Sequence, residues 1–470
     1  LGPRPKEKEN KDLEFQKNIF QSEGRDRIPD PFLVIKIMNS FIGQLYEVFL
    51  ETGRVSTDTR ELKPGSIFFA LKGMHFDGNR FAREALEGGC RLAVVDDKEL
   101  KNVDGCFFVP DVLSALQNLA RYHRQKLEIP VIGITGSNGK TTTKELIAAV
   151  LAKKYRVWFT QGNLNNHIGV PLTILSIPPG TQIAIVEMGA NHKGEITRLC
   201  NIALPNHGLI TNVGKAHLEG FGSIEGVMEA KGELYAFLKE NGGEIFVNVD
   251  SSLLMKMLGD YPWIGYGKSE KAVVKADKII AEPLLAFDLS TSRVRGYRIN
   301  TCLIGLYNVD NVLAAASVAH FFGVEEDLVK NAIENYVPKN NRSQFFNTGH
   351  NQVLLDAYNA NPTSMKVALE SFSNIKHSRK ILVLGSMKEL GANSYEEHKK
   401  LISEVRNIEF DACYLTGDEF REVVPDDRKF CWLKDTNNLR SALENAKISD
   451  ALFLIKGSRS NRLEQVVDVL

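Results

Sequence analysis

No apolar run in this 470-residue chain approaches the roughly 20 residues that a membrane-spanning helix needs, so insertion into a bilayer by a helix is not expected. An excess of one charge is also lacking. Lys and Arg together number 58, as do Asp and Glu, which speaks against a general affinity for nucleic acid or anionic lipid while leaving room for local basic patches. Paired cysteines are missing: Cys90, Cys106, Cys200, Cys302, Cys413 and Cys431 are scattered and form no C-x-x-C. That spacing argues against a metal knuckle or redox motif and for reduced thiols, as in a cytoplasmic protein. Short internal repeats are absent. The remaining composition is that of a globular protein, and the length calls for about three domains rather than one core.

What the chain does have is a stretch built for phosphate. Ile129-Pro130-Val131-Ile132 reads as a buried strand, and Lys144-Glu145-Leu146-Ile147-Ala148-Ala149-Val150-Leu151 as a helix. Between them lies Gly133-Ile134-Thr135-Gly136-Ser137-Asn138-Gly139-Lys140-Thr141-Thr142-Thr143. Strand, glycine loop and helix cradle an anion because glycines let backbone N–H groups crowd it, the helix N-terminus adds partial positive charge and lysine adds a full one. The longer pattern G-x-x-x-x-G-K-[ST] is not met, since Ile134 stands where its first glycine belongs; the shorter T-G-x-x-G-K-T is. Lys140 is expected to reach the terminal phosphates of a nucleotide and the Thr141 hydroxyl to bind Mg²⁺.

Residues 1–37 are charge-rich at their start and lack the apolar core of a secretion signal, so a disordered lead-in or an extension is expected there. Residues 38–128 read as a first domain: a helix from Phe41 to Leu50, a small α/β unit from Val55 to Val109, and a helix over 112–126. In residues 129–338 strand and helix alternate at 131–134, 140–153, 157–160, 183–187, 193–203, 208–213, 223–241 and 244–248, which predicts a mostly parallel sheet covered by helices. Residues 339–470 repeat the α/β pattern, with strands at 352–356, 381–385, 412–415 and 451–455. Ligands of such sheets collect at the carboxyl ends of the strands.

Several candidates lie at those ends. Glu187 closes the run Ile183-Ala184-Ile185-Val186, where its carboxylate suits a hard cation, a capping or surface role being the alternative. His217 follows the strand Leu209-Ile210-Thr211-Asn212-Val213 in the same way, though a lone histidine is more often structural. Lys231, on its own residues, is an ordinary helix-surface lysine. Asn308 and Asn311 offer amides to a base edge or cap a helix. Arg342 and Asp356 flank the entry to the third domain. Ser56, Thr57, Asp58 and Arg60 precede a strand and could hold a diphosphate or nucleoside, or form a polar turn.

Five stretches carry a resemblance: Thr135 to Thr141; Gly162-Asn163-Leu164-Asn165-Asn166; Glu187-Met188-Gly189-Ala190-Asn191-His192-Lys193-Gly194-Glu195-Ile196; Ala216-His217-Leu218-Glu219-Gly220-Phe221-Gly222-Ser223; and Tyr358-Asn359-Ala360-Asn361-Pro362. In that order they resemble the Mur ligase family, the third and last pointing to its MurF branch, and the likeness runs from Val55 to Lys456-Gly457-Ser458-Arg459. The resemblance implies an α/β fold of three domains: UDP-substrate recognition, a central P-loop parallel-sheet ATPase, and a Rossmann-like C-terminal domain that closes over the nucleotide. It implies an ATP-dependent amide ligase that adds D-alanyl-D-alanine to UDP-N-acetylmuramoyl-tripeptide through an acyl phosphate, completing the cytoplasmic pentapeptide precursor of peptidoglycan. A monomer without nucleic-acid or membrane partners is expected.

By the same carry-over, Thr135, Gly136, Ser137, Asn138, Gly139, Lys140, Thr141, Thr142, Asn311, Arg342 and Asp356 bind ATP, with Asn311 at its adenine end. Two Mg²⁺ ions are implied, held by Thr141, Glu187, His217 and Lys231, the last as a CO₂-derived carbamate whose amine must first be neutral. Lys140, Glu187, His217 and Lys231 form the catalytic set. Ser56, Thr57, Asp58, Arg60, Asn163, Asn165 and Asn166 would hold the UDP-substrate, and Asn359 and Asn361 the D-alanyl-D-alanine side. Two residues depart from the family pattern: Tyr307 stands in place of a histidine and Ser386 in place of an aspartate. The rival readings are a ligase of the same superfamily adding a single amino acid, and a nucleotide-binding scaffold without catalysis.

Overall fold

The computed structural model describes the backbone of residues 31–470 and the side chains from residue 41 onward. The chain divides into two units, residues 1–51 and 52–470. What is described of the first is the helix Pro31–Thr52. Proline suits its first turn because no helical N–H is needed there, and Ile42, Leu45, Tyr46 and Phe49 recur at helical spacing as its buried face. The helix overlaps residues 31–37 of the expected lead-in, because the apolar run Phe32-Leu33-Val34-Ile35 joins the pattern that follows it. The rest of that lead-in lies outside the described residues.

The second unit is built on three main sheets, beside an antiparallel pair of short strands, Lys72–Gly73 with Phe76–Asp77. The smallest of the three has four parallel strands in the order Val55–Ser56, Ile67–Phe69, Leu92–Val95, Cys106–Phe108. The central sheet has nine, in the order Tyr297–Ile304, Leu284–Ser290, Val274–Ala281, Ile264–Gly267, Glu244–Asn248, His207–Ile210, Val131–Thr135, Ile183–Glu187, Val157–Phe159. It is parallel from Val157–Phe159 through Val274–Ala281, and the last two strands add on antiparallel. This extension continues the parallel sheet expected from the sequence. The helices Lys140–Leu151 and Asn308–Phe321 pack on one face, sharing a core with Ile132, Ile134, Ile185 and Leu209.

The third sheet has six strands: Gln344–Asn347 antiparallel at one edge, then Gln352–Asp356, Leu452–Lys456, Lys380–Gly385, Ala412–Thr416 and Phe430–Leu433 in parallel. Its four inner strands are those read from the sequence; the two edge strands are additional. Among the described residues no helix is long and apolar enough to cross a membrane.

Register places the chemistry. Ile134 pairs with Glu187 and Thr135 with Ile210, so three strands end side by side on one edge of the central sheet. The helix Val112–Lys126 packs on the helices Gly169–Leu175 and Glu195–Ala203 beneath that edge. There the buried Arg124 donates to the carbonyls of Leu127 (2.6 Å), Ile129 (3.3 Å), Ala203 (3.0 Å) and Leu204 (3.2 Å). One guanidinium thus fastens the 127–130 connection to the end of a central helix. Arg124→Met strands those carbonyls, and a loss of about 2–3 kcal/mol of stability is expected, read as a lowered denaturant midpoint with the helix content of the folded protein unchanged.

Candidate active site

The phosphate loop leaves the strand Val131–Thr135 and enters the helix Lys140–Leu151 through Gly139, which sits at φ 80°. A Cβ at Gly139 would lie 2.6 Å from Asn311 Oδ1, and one at Gly136 (φ 141°) would collide with Thr211 Oγ1. Only glycine fits either place. The loop is stitched to the neighbouring strand exit: Ser137 N–H donates to Asn212 O (3.0 Å), Asn138 N–H to Asn212 Oδ1 (3.0 Å), and Thr211 Oγ1 to Asn138 O (2.6 Å). Ser137 Oγ donates to Gly214 O (3.0 Å). Lys140 is half-buried and its ammonium rests on Gly136 O (2.7 Å) and Ser137 O (3.2 Å); burial, followed by the charge of Arg342, lowers its pKa. Thr135 lies behind the loop with its hydroxyl on Met188 O (2.8 Å).

Ser137 to Thr142 open on a cavity of about 510 Å³ lined by both the central and the third sheet's segments. Glu187, 2% exposed, forms its floor. The Thr141 hydroxyl lies 3.2 and 3.0 Å from Glu187 Oε1 and Oε2, Asn165 Nδ2 donates to Oε1 (2.8 Å), and the Lys144 ammonium is 3.6 Å from Oε2. Asn165 thus braces Glu187 here. Asn163 and Asn166 also line the cavity, Asn166 Oδ1 accepting from the N–H groups of Ile168 and Gly169 to start a helix.

His217 lines the same cavity from a left-handed backbone (φ 52°), its Nδ1 2.5 Å from Glu389 Oε2, and the histidine holds the Glu389 carboxyl below its ordinary pKa. Lys231, 1% exposed, donates to Ala190 O (3.2 Å) and faces the Phe221 ring at 5.1 Å. Burial first, then the nearby charge of Lys140, lowers its pKa to about 7. Of the four expected metal-holding groups, Thr141, Glu187 and His217 line the cavity and Lys231 does not. Thr141 and Glu187 touch, while His217 and Lys231 have other partners, and among the described residues no trio of His, Cys, Asp or Glu could hold a metal by itself.

Asn311 lies under the loop. Its Oδ1 accepts the Thr143 hydroxyl (3.0 Å) and its Nδ2 donates to Asn308 Oδ1 (2.7 Å), so the amide supports Gly139 from below. The third sheet contributes Arg342, stacked 3.6 Å from the centre of the Tyr358 ring, with Nε a buried donor lacking a partner; Arg459 stands 5.2 Å from the same ring. Asp356 takes Lys456 Nζ at 2.5 Å and the Ser343 N–H at 3.4 Å. Tyr307 lines the cavity and meets Ser343 Oγ at 3.0 Å, burial raising its pKa. Ser386 is fully buried, its N–H on Thr416 O (2.9 Å) and its hydroxyl 3.4 Å from Asn461 Oδ1.

Ser56, Thr57, Asp58 and Arg60 do not line the cavity. They form their own turn, in which Arg60 donates to Asp58 through its backbone N–H (2.9 Å), Nε (2.9 Å) and Nη2 (2.5 Å), the side-chain bond lowering the Asp58 pKa to about 2. Asn359 lines the cavity; Asn361 does not. Asn361 caps the helix Pro362–Asn374 through Oδ1 to the Ser364 N–H (2.9 Å), while its Nδ2 reaches the phosphate loop at Asn138 Oδ1 (2.8 Å). Beside it Thr363 Oγ1 accepts the Lys215 N–H (3.0 Å), and Lys215 Nζ meets Glu397 Oε1 at 2.8 Å. Lys144, Thr211, Asn212 and Glu389 were not singled out from the sequence. Only the place of Thr211 and Asn212 at a strand exit beside the loop could have flagged any of them.

Residues 52–147 match the Mur ligase family catalytic domain, 134–319 the Mur ligase middle domain, and 341–459 the Mur ligase glutamate ligase domain. The chain is 36% identical over 428 residues to the UDP-N-acetylmuramoyl-tripeptide–D-alanyl-D-alanine ligase of Bacillus subtilis (strain 168), covering 88% of this chain and 92% of that one. It is 34% identical over 444 residues to the ligase of that name from Escherichia coli (strain K12), covering 91% and 96%. Among solved structures, the MurF ligase of Thermotoga maritima in complex with ADP gives a TM-score of 0.80 at 29% identity, covering 89% of this chain and 97% of that one. MurF from Acinetobacter baumannii gives 0.79 at 29%, covering 88% and 92%.

Asn361→Ser keeps a good helix cap but is too short to reach Asn138. A slightly lowered melting temperature is expected from loss of one net hydrogen bond, with KM for ATP raised about threefold or more as the loop loosens; steady-state kinetics beside thermal melting checks both.

Proposed function

This chain belongs to the MurF branch of the Mur ligase family, and we propose that it joins D-alanyl-D-alanine to UDP-N-acetylmuramoyl-tripeptide at the expense of ATP. The observation that carries this reading is one cavity shared by the phosphate loop, the buried Glu187 and, from the third sheet, Arg342 and Asp356. The work divides among residues 38–128 for the UDP end, 129–338 for ATP, and 339–470 for closing the site. The UDP end of the substrate is separated from its reacting carboxylate by a sugar and a peptide. The Ser56–Arg60 turn and the cavity around Asn163 and Asn166 can therefore serve opposite ends of one molecule. Localisation in the cytoplasm and action as a monomer belong to the same proposal.

The chemistry must make a carboxylate electrophilic. A carboxylate oxygen of the tripeptide attacks the γ-phosphorus of ATP, and ADP leaves. The amine of D-alanyl-D-alanine then attacks the acyl carbon, and phosphate leaves from a tetrahedral intermediate as the amide forms. Two anions must first meet, so most of the enzyme's task is neutralising charge and holding geometry. The open N-terminus of the helix Lys140–Leu151 offers backbone N–H groups to the phosphates. Lys140, released from the loop carbonyls, follows the phosphoryl charge. Arg342, with its free Nε, and Asp356 approach the nucleotide from the other side.

Thr141 and Glu187 present hard oxygen donors to the cavity, which fits Mg²⁺; His217 would help hold a second ion if it exchanged Glu389 for it. When bound, magnesium supplies Lewis-acid stabilisation of the phosphoryl oxygens. Lys231 fits a carbamate. Its dry surroundings keep much of its amine neutral near pH 7, the form that takes up CO₂. Asn359, on the cavity wall, remains the candidate for the dipeptide side, whereas the amide of Asn361 is committed to the loop.

Phosphate release from ATP and UDP-N-acetylmuramoyl-tripeptide is expected to require D-alanyl-D-alanine, and oxygen-18 placed in the tripeptide carboxylate is expected in the liberated phosphate. Release supported by a single free amino acid instead would favour another ligase of the superfamily. Lys140→Ala is expected to lower kcat by about a hundredfold or more with the fold retained, through loss of a charge aimed at the transferring phosphoryl group. For Lys231, a carbon-13 carbamate resonance is expected under labelled CO₂ at constant dissolved concentration and absent in Lys231→Ala. It should strengthen from about pH 6 to about pH 8, because an ammonium with a pKa of about 7 loses its proton across that window.

A further inference from the structure

Lys144 has no part in the reaction as described, yet it is among the most deeply buried charged side chains of the molecule, 1% exposed. It lies three residues beyond Thr141 and four beyond Lys140 in the helix Lys140–Leu151, so it shares the face that turns Thr141 toward Glu187. Its ammonium sits 3.6 Å from Glu187 Oε2 and 5.6 Å from the centre of the Phe159 ring. The other buried lysines rest on carbonyls: Lys231 on Ala190, Lys380 on Phe372 and Ser373, Lys456 on Asn359 as well as Asp356. For Lys144 no such hydrogen bond occurs among the described residues, and Glu187 is its ion-pair partner. A buried ammonium in apolar company persists only where an opposite charge repays its lost hydration.

The carboxylate is correspondingly well held. Thr141 touches both oxygens, Asn165 donates to one, and Lys144 stands at the other. Glu187 with Lys144 carries no net charge, and Lys140 adds a positive one on the loop above. A divalent cation approaching the nucleotide-free site therefore meets a carboxylate already balanced by a fixed cation. Polyphosphate changes the sum, because its negative charges outweigh both lysines.

We propose that Lys144 is the resident counter-ion of Glu187, a positioning residue that keeps the carboxylate oriented and makes divalent metal enter with the nucleotide rather than ahead of it. The inference rests on Glu187 being a metal ligand. It concerns the order of binding and the residue that enforces it.

Mn²⁺ binding to the full chain, followed by the electron paramagnetic resonance of the free ion, tests this with and without ADP. Wild type is expected to bind Mn²⁺ at least about tenfold more weakly without ADP than with it. Lys144→Met, similar in length but uncharged, is expected to bind Mn²⁺ without nucleotide at least about tenfold more tightly than wild type, since a fixed positive charge beside the ligand is gone. General damage to the site would weaken binding, so the sign separates a charge effect from a structural one. Lys144→Gln serves as a second neutral variant, and Lys144→Arg should bind as wild type does.

Equal Mn²⁺ affinity in wild type with and without ADP overturns the proposal even if no variant folds. So does unchanged or weaker nucleotide-free binding in the neutral variants. Glu187→Gln separates the two layers: if it leaves Mn²⁺ binding with ADP unaltered, Glu187 is not a metal ligand and the underlying reading falls. If it weakens that binding while Lys144→Met changes nothing, only the role of Lys144 is wrong.

Discussion

Glu187 is 2% exposed, and an ionised carboxylate that far from water is tolerable only where donors and a countercharge surround it. Its surroundings come from separate pieces of chain. Thr141 and Lys144 belong to the helix after the phosphate loop, Asn165 to the segment before the helix Gly169–Leu175, and Thr160 follows an edge strand and accepts the Glu187 N–H at 3.0 Å. The register of Val131–Thr135 against Ile183–Glu187 is what lets these pieces meet, since Ile134 opposite Glu187 puts the loop beside the carboxylate. A slip of one residue would turn Glu187 to the other face of the sheet and Val186 toward the site.

The loop above this carboxylate is held by backbone and amide contacts that leave its helix N-terminus open. Asn138 is tied through its N–H and carbonyl to Asn212 and Thr211, and through its side chain to Asn361. A residue from the third sheet's first helix cap therefore completes the phosphate loop of the central sheet. The connection between the two sheets runs through Asn340, Asn341 and Ser343, all left-handed at φ 61°, 57° and 48°. Non-glycine residues there are held against their local preference by what flanks them. Arg342 sits among them, stacked on Tyr358, and Ser343 is bonded to Tyr307 and Asp356. Cavity-lining groups and left-handed backbone thus share one short segment.

Much of this could be read before any coordinates. The four inner strands of the third sheet, the central strands from Val157–Phe159 to Glu244–Asn248, the phosphate loop and the strand-end position of Glu187 follow from apolar runs and glycine spacing, which are local signals. The other strands of those two sheets did not stand out. Phe430–Leu433 is short, and Val274–Ala281, with Lys275, Asp277 and Lys278, lacks a clean apolar face. Yet Leu284–Ser290 does bury alternate residues and was legible in principle. Side-chain partners were least visible. Asn165, Asn311 and Asn361 donate to Glu187, Asn308 and Asn138, and an asparagine's sequence position does not tell which acceptor it will meet. Nothing local in the helix sequence marks Lys144 as inward-facing, and only the packed structure turns it inward.

Lys140 and Lys231 show why the charges of this site cannot be considered singly. Part of what lowers the Lys231 pKa is the charge of Lys140, and part of what lowers that of Lys140 is the charge of Arg342. Neighbouring cations repel, and the group that yields its proton most readily is the one with the most burial and the least compensation. Lys231 answers to that description: the carboxylates of Glu195 and Glu233 only partly offset its burial. In the carbamate proposed above, addition of CO₂ to its neutral amine would replace a repelled cation with an anion, easing the repulsion felt by Lys140. On the proposed reading, the charges that favour phosphate are thus also the ones that favour a neutral Lys231, the form that takes up CO₂.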